Sequence, residues 1–162
     1  CLVFPINPTI VEFSNDFLPF PFQVWISESQ DSYKPELAQL LYPMFTHLFL
    51  ELVNNGHKAI ALKFHKRHNS TFLGNVEFKV FIQQLLLILT PEDISRDLLV
   101  SSYQGSKYSV TLSGRTFQYL MKYLHQCGQT VLLHILRRRV DLKIADALGA
   151  CSKHEAVHKG KR

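Results

Sequence analysis

The sequence predicts an all-α fold in the main: a compact globular array of about six to nine antiparallel helices, with one short β element near 107–112. Three observations point there. Between Glu36 and Val53 the apolar residues Leu37, Leu40, Leu41, Met44, Phe45, Leu48, Phe49 and Leu52 recur at i, i+3, i+4 and i+7 over nearly five turns. Helix-start chemistry stands at Asn75, at Thr90-Pro91-Glu92-Asp93 and at Ser113. The linkers between periodic stretches are only a few residues long, as for antiparallel neighbours.

Each element follows from its residues. Pro43 lies inside the first stretch, where a proline loses a hydrogen bond and crowds the preceding turn, so the helix is expected to kink or split there. Asn54-Asn55-Gly56 supplies a stop. Ile60 and Phe64 mark a second helix that runs out at Asn69-Ser70-Thr71. Asn75 caps a third, with Val76, Val80, Phe81, Leu85, Ile88 and Leu89 on its face; because it is apolar nearly all round at its end, it is expected at the centre of the globule. Thr90 to Asp93 begins a helix with Ile94, Leu98 and Leu99 inward, ending near Gly105. Lys107 to Leu112 alternates and is β-branched, so it reads as a short strand or, lacking a local partner, extended coil. Ser113 caps a helix with Phe117, Leu120, Met121 and Leu124 inward, stopping near Gly128, and a last helix uses Val131, Leu132, Ile135 and Leu136.

The chain has 162 residues, 46% hydrophobic and 19% charged, with a mean hydropathy of zero. That is the size and balance of one ordinary domain and excludes disorder or low complexity as the overall class. The longest apolar run, Val80 to Leu89, contains Gln83 and Gln84 and is about half of the ~20 residues a bilayer span needs. The chain opens on Cys1, as a fragment of a longer product would, and its first twenty residues lack the basic start of a secretory signal and are broken by Pro5, Pro8 and Pro19. Residues 1–23 hold four of seven prolines and five of twelve phenylalanines, and are expected to be irregular. Residues 24–148 form the helical domain and 149–162 a basic flexible tail. Three widely spaced cysteines, Cys1, Cys127 and Cys151, suit a reducing compartment and neither a disulfide framework nor a zinc cluster.

Few residues assemble chemistry. His154-Glu155-Ala156-Val157-His158 matches H-E-x-x-H, whose spacing on a helix offers two imidazoles to Zn²⁺ and a general base to its water. Only Lys159-Gly160-Lys161-Arg162 follows, with no third ligand, so a solvated tail is the expected reading and a small zinc hydrolase the alternative. His65 and His68 sit among Lys63, Lys66 and Arg67, cations that would repel a metal ion; a solvated helix end is expected. Cys127 and His125 point apart on a helix and form no dyad, leaving Cys127 as a buried structural thiol. No Gly-rich phosphate loop, nucleophile elbow or cofactor motif is present in the sequence, so no catalytic, metal or cofactor residue is assigned. A surplus of +5 permits an acidic partner, and Arg137, Arg138 and Arg139 at a helix end are the candidate interaction surface; a nucleic-acid-binding module is the other alternative.

The run Tyr33-Lys34-Pro35-Glu36-Leu37-Ala38-Gln39-Leu40-Leu41-Tyr42-Pro43-Met44-Phe45-Thr46-His47-Leu48-Phe49-Leu50-Glu51-Leu52-Val53 resembles the opening of the N-terminal α-helical domain, NTD2, of the TFIID subunit 5 family of TBP-associated factors. Lys63-Phe64-His65, Leu89-Thr90, Ser106 to Ser113, and Phe117 to Leu120 with Tyr123-Leu124 keep the family order, and the likeness runs from about residue 24 to 145. Leu98 to Tyr108 and Tyr119 to Leu124 are similar to the SAGA paralogue as well, so either host stays open. The resemblance implies a non-catalytic scaffold in a nuclear complex for transcription initiation, with protein subunits as partners, the histone-fold subunits six and nine foremost, and no cofactor, membrane or small-molecule substrate. Its fold-defining positions here are Tyr33, Glu36, Leu37, Leu40, Leu41, Tyr42, Pro43, Phe45, His47, Leu50 and Leu52. Most of these lie on the buried stripe, and His47 is expected to satisfy a backbone carbonyl.

Overall fold

In the computed structural model the described residues are 21–126, 128 and 130–145, and they form nine helices and two short strands. The order is α1 (Pro21–Glu28), α2 (Lys34–Ala38), α3 (Leu41–Asn54), α4 (Lys58–His68), a 3-10 turn (Asn69–Phe72), α5 (Val76–Gln84), a second 3-10 turn (Leu85–Leu87), α6 (Pro91–Arg96), α7 (Leu98–Gly105), β1 (Tyr108–Leu112), α8 (Gly114–Gln126), α9 (Thr130–Arg139) and β2 (Val140–Ile144). A mainly helical architecture is thus what the chain adopts. The first helix begins at Pro21, ahead of the boundary drawn at Gln23. A proline is tolerated in a first turn, and Phe22 is fully buried.

Helix α3 is the hub. Every residue from Tyr42 to Leu50 is buried, as are Leu52 and Val53. It packs against α2, α4, α6 and α9. The long apolar stretch does split, but at Gln39–Leu40 rather than at Pro43. Pro43 occupies the first turn of α3, where its missing N–H has no partner to lose, and the first regular bond of the helix runs from Met44 N to Leu40 O at 3.0 Å. The helix stops at Asn55-Gly56, with Gly56 at φ 85°, a conformation that side-chain-bearing residues seldom adopt.

Caps fix most other starts. Asn75 Oδ1 accepts from Glu77 N at 2.9 Å and from Phe78 N at 3.2 Å. Thr90 and Asp93 form a reciprocal capping box on α6. Asp97 caps α7, accepting from Val100 N at 3.0 Å and from Gln84 Nε2 at 2.6 Å. This last cap corrects the expected inner face: the helix restarts at Leu98, the register shifts, Ile94 and Val100 point in, and Leu98 is 84% exposed. Helix α5 is likewise peripheral and not central. Phe81 and Ile82 enter the core, while Val76 and Val80 are 76% and 60% exposed.

The strand over residues 108–112 has a partner that sequence reading left out. β1 pairs in parallel with β2, Tyr108 opposite Val140 and Leu112 opposite Ile144. Parallel pairing needs a long crossover, here supplied by α8 and α9. Val110, Leu112 and Val140 bury their side chains, so the ribbon is held by the core beneath it. Trp25 of α1 stacks on Tyr119 and Tyr123 of α8, at 5.1 and 4.0 Å between ring centroids, and Tyr33 stacks on Tyr119 at 4.2 Å. No helix among the described residues is long and apolar enough to cross a membrane.

Replacing fully buried Phe49 by alanine is expected to destabilise the domain by about 3–5 kcal/mol, the range for aromatic truncation in a packed core. The exposed change Val80→Ser should stay within about 0.5 kcal/mol. Urea unfolding followed by far-UV circular dichroism checks both; a Phe49→Ala loss below about 1 kcal/mol would contradict the hub role of α3.

Candidate interaction surface

The motif residues occupy two tiers. Leu37, Leu40, Phe45, Leu50 and Leu52 are fully buried, Leu41 is partly buried against them, and Pro43 is inside the first turn of α3. Tyr42 closes this core toward the surface: its ring stacks on Phe78 at 4.0 Å and meets Phe72 edge-on at 6.0 Å. Burial pushes its hydroxyl well above the ordinary tyrosine value, with Tyr108 adding to the effect. Tyr33 is half-buried between Tyr119 and the Arg115 guanidinium, which lies 5.4 Å from its ring centroid.

Glu36 is a tie between distant segments. Its carboxylate accepts from Ser113 N at 3.2 Å, from Ser113 Oγ at 2.9 Å and from the Thr116 hydroxyl. Ser113 Oγ in turn accepts from Thr116 N at 3.2 Å. Glu36 therefore serves as a second, long-range cap on α8, and places a negative charge at a helix start. Desolvation opposes ionisation, but the bonds from Thr116 and Ser113, with Arg115 nearby, outweigh it and hold the carboxyl below its usual 4.5. Beside it Gln39 Nε2 donates to Thr111 O at 3.2 Å, joining α2 to β1.

His47 departs from expectation. It is 3% exposed, and neither ring nitrogen has a hydrogen-bond partner among the described residues, so it satisfies no carbonyl among them. Instead the ring stacks on Tyr103 at 4.7 Å, nearly parallel at 13°. Tyr103 is fixed by a 2.7 Å bond to Thr46 Oγ1; because that hydroxyl gives its own proton to Tyr42 O at 3.0 Å, the phenol is the donor. Burial, then the neighbouring Arg139 charge, hold His47 down to about 3, so it is neutral at physiological pH. His65 is also buried, not a solvated helix end as read from its cationic neighbours: Nε2 donates to the Ile82 carbonyl at 2.7 Å and fixes α4 against α5. Its neighbour His68 is half-buried, with its ring 5.2 Å from that of Phe64.

The arginine run divides. Arg139 Nη1 donates to Gln104 O at 2.7 Å and so ties the end of α9 to the end of α7. Arg137 and Arg138 are exposed and, with Thr130, Leu133 and His134, line a shallow depression of about 340 Å³. His134 Nε2 lies 3.8 Å from Glu51 Oε2. A larger groove of about 470 Å³ opens between α2, the 3-10 turn Asn69–Phe72 and β1, with Tyr42, Phe72, Phe78 and Tyr108 on its walls. Sequence reading missed this groove. Its aromatic residues come from four elements, and only Tyr42, at the edge of the apolar stripe, hinted at it.

No group of three or more His, Cys, Asp or Glu able to hold a metal occurs among the described residues. His154, Glu155, His158 and Cys127 lie outside those residues. The arrangement offers faces and tethers, with polar groups committed to caps.

Comparison with known proteins adds the following. The family described as the WD40 associated region in TFIID subunits, NTD2 domain, matches residues 21–140. The mouse protein named TAF5-like RNA polymerase II p300/CBP-associated factor-associated factor 65 kDa subunit 5L is 32% identical over 76% of this chain and 21% of its own length. Transcription initiation factor TFIID subunit 5 of Arabidopsis thaliana is 27% identical over 74% of the chain and 18% of its own. The chain thus spans about a fifth of the curated relatives it matches. The crystal structure of the Encephalitozoon cuniculi TAF5 N-terminal domain superposes with a TM-score of 0.72 at 24% identity, covering 84% of this chain and 98% of that one, which shows a shared fold.

Two outcomes follow from the buried polar groups. Between pH 6.5 and about 3 the unfolded chain binds a proton at residue 47 that the folded chain excludes, so stability falls as pH drops through that window, by up to about 1.4 kcal/mol per unit. His47→Phe keeps the stack on Tyr103, is expected to be neutral or stabilising by about 1 kcal/mol at pH 7, and should flatten the difference between urea midpoints at pH 7.5 and pH 5. An unchanged difference would contradict it. Glu36→Gln should lower stability at pH 7, and, because the folded carboxyl titrates below 4.5, the gap from the parent should close as pH falls through that value. Thermal melts at pH 7 and pH 3.5 measure it.

Proposed function

Because the chain belongs to the family of WD40-associated TFIID-subunit NTD2 domains, we propose that it is a non-catalytic scaffold domain of a nuclear transcription complex of the TFIID or SAGA type. The family match over residues 21–140 carries this reading. The relatives' names support both hosts, one of them being the Schizosaccharomyces pombe SAGA complex/transcription factor TFIID complex subunit Taf5. Its partners are then protein subunits of such a complex, with the histone-fold subunits six and nine as the specific expectation, in support of RNA polymerase II initiation.

The structure suits a scaffold in a physical sense. A helix buried on all sides and a set of long-range polar ties give a body whose faces keep fixed relative positions, which is what an assembly platform requires. The motif residues define the fold, residues 24–148 with the start of α1 form the working unit, and residues 149–162 are a basic tail. Arg137 and Arg138 provide the partner-facing charge, whereas Arg139 is a structural tether.

The 162-residue chain, immobilised and exposed to nuclear extract, is expected to retain TFIID or SAGA subunits, with subunits six and nine among them by mass spectrometry. Arg137→Glu combined with Arg138→Glu should reduce their recovery roughly five- to tenfold, the scale of about 1–1.4 kcal/mol. Recovery of neither complex would overturn the assignment; full recovery by the double variant would remove the arginines from the interface.

A further inference from the structure

A leucine-bearing face lies apart from the groove and from the arginine depression. Leu87, at the end of the second 3-10 turn, is 68% exposed, and at the start of α7 Leu99 is 51% exposed beside the outward-turned Leu98. Single exposed apolar residues are ordinary, but large ones gathered on one face mark a contact surface. Here they are gathered by a polar tie: the 2.6 Å bond from Gln84 Nε2 to Asp97 draws the end of α5 to the start of α7. Leu87 thereby shares a depression of about 290 Å³ with Ile88, Asp93, Arg96 and Asp97, and Leu98 follows Asp97 in the chain. The border of this face is acidic. Arg96 is engaged by Asp93 Oδ1 at 3.2 Å. Asp97 takes its bonds from Val100 N and Gln84, which are neutral donors, and Glu92 is exposed in the first turn of α6. Among the described residues neither Glu92 nor Asp97 has a cation within salt-bridge distance.

We propose that the face carrying Leu87, Leu98 and Leu99 is the docking site for an amphipathic helix of a partner protein whose apolar stripe is flanked by lysine or arginine. The depression between Leu87 and the α6–α7 junction has the buried Ile88 in its lining and is large enough to admit a leucine-sized side chain. The exposed leucines beside it then cover the rest of the incoming stripe, which is how a helix seats on an apolar surface. Cations on the flank of that helix meet Glu92 and Asp97, charges that no described cation neutralises. Such a local preference runs against the chain's overall charge of +5, so it comes from this border and not from a general attraction. A second copy of the chain is the competing occupant. A two-fold contact through this face would set Glu92 and Asp97 against their own counterparts, a repulsion that a basic partner avoids. An anionic phosphate surface meets the same repulsion.

The test uses the whole 162-residue chain and two fluorescein-labelled helical peptides of about 18 residues. Both carry leucine at i, i+3, i+4 and i+7; one has lysine at the flanking positions and its twin has glutamate. Fluorescence anisotropy is expected to show the lysine peptide binding at least about tenfold more tightly than the glutamate twin. Leu87→Ser combined with Leu98→Ser, both exposed changes, should weaken the lysine peptide roughly tenfold while leaving the circular dichroism spectrum unchanged. Arg137→Glu combined with Arg138→Glu should not weaken it, which separates this face from the arginine depression. Equal binding of the twins, preference for the glutamate peptide, no binding of either, or binding untouched by the paired serine changes would each overturn the proposal. A dimer in sedimentation that the serine changes dissociate would assign the face to a second copy and overturn it as well. The peptides report on this face whether or not TFIID or SAGA subunits are captured, so the outcome is separate from the host assignment.

Discussion

A helix apolar on every side can exist in water only if other elements surround it, and α3 imposes that constraint on the whole chain. With residues 42–50 all buried, the hub needs α2, α4, α6 and α9 around it. Each neighbour then needs one apolar face and one solvated face, which is the pattern α4 and α9 carry. The rest of the topology is the set of short connections that place those faces against the hub.

Around this hydrophobic centre the polar chemistry works as fastening. Glu36 reaches across 77 positions of sequence to hold Ser113, Arg139 holds Gln104, His65 holds Ile82, and Asp97 holds both its own helix and Gln84. These bonds have definite geometry, and each links elements that apolar packing alone would allow to slide. His47 is the exception: it is buried with its ring stacked and its nitrogens unpaired among the described residues. Burial of this kind is a stability cost that the surrounding packing offsets. The outcome is a body in which Glu36, Asp93 and Asp97 are committed to helix starts and Arg139 to a tether, and whose described surface carries a groove and an arginine-bearing depression.

The pattern from Tyr33 to Val53 names the family because most of its residues are needed to build α2, the break and α3. The same residues therefore say little about contacts with partners. The groove and the depression are lined by residues such as Phe78, Tyr108, Leu133 and Arg137, which no single periodic stretch brings together.

What the sequence determined by itself was local. The 3.6-residue rhythm of α3, the caps at Asn75, Thr90 and Ser113, and the stop at Gly56 are visible because each depends on groups within a few positions of one another. What tertiary structure decided was non-local. Val140 to Ile144 becomes a strand only because β1 lies ready to pair with it across two helices, and α5 turns Val76 and Val80 outward because Phe81 and Ile82 already fill the space beside α3 and α4. His65 looked solvated among lysines and is buried, since its environment is set by Ile82, seventeen residues on. Periodicity shows that a face is apolar; only the complete packing shows which of two apolar faces the core has room to bury.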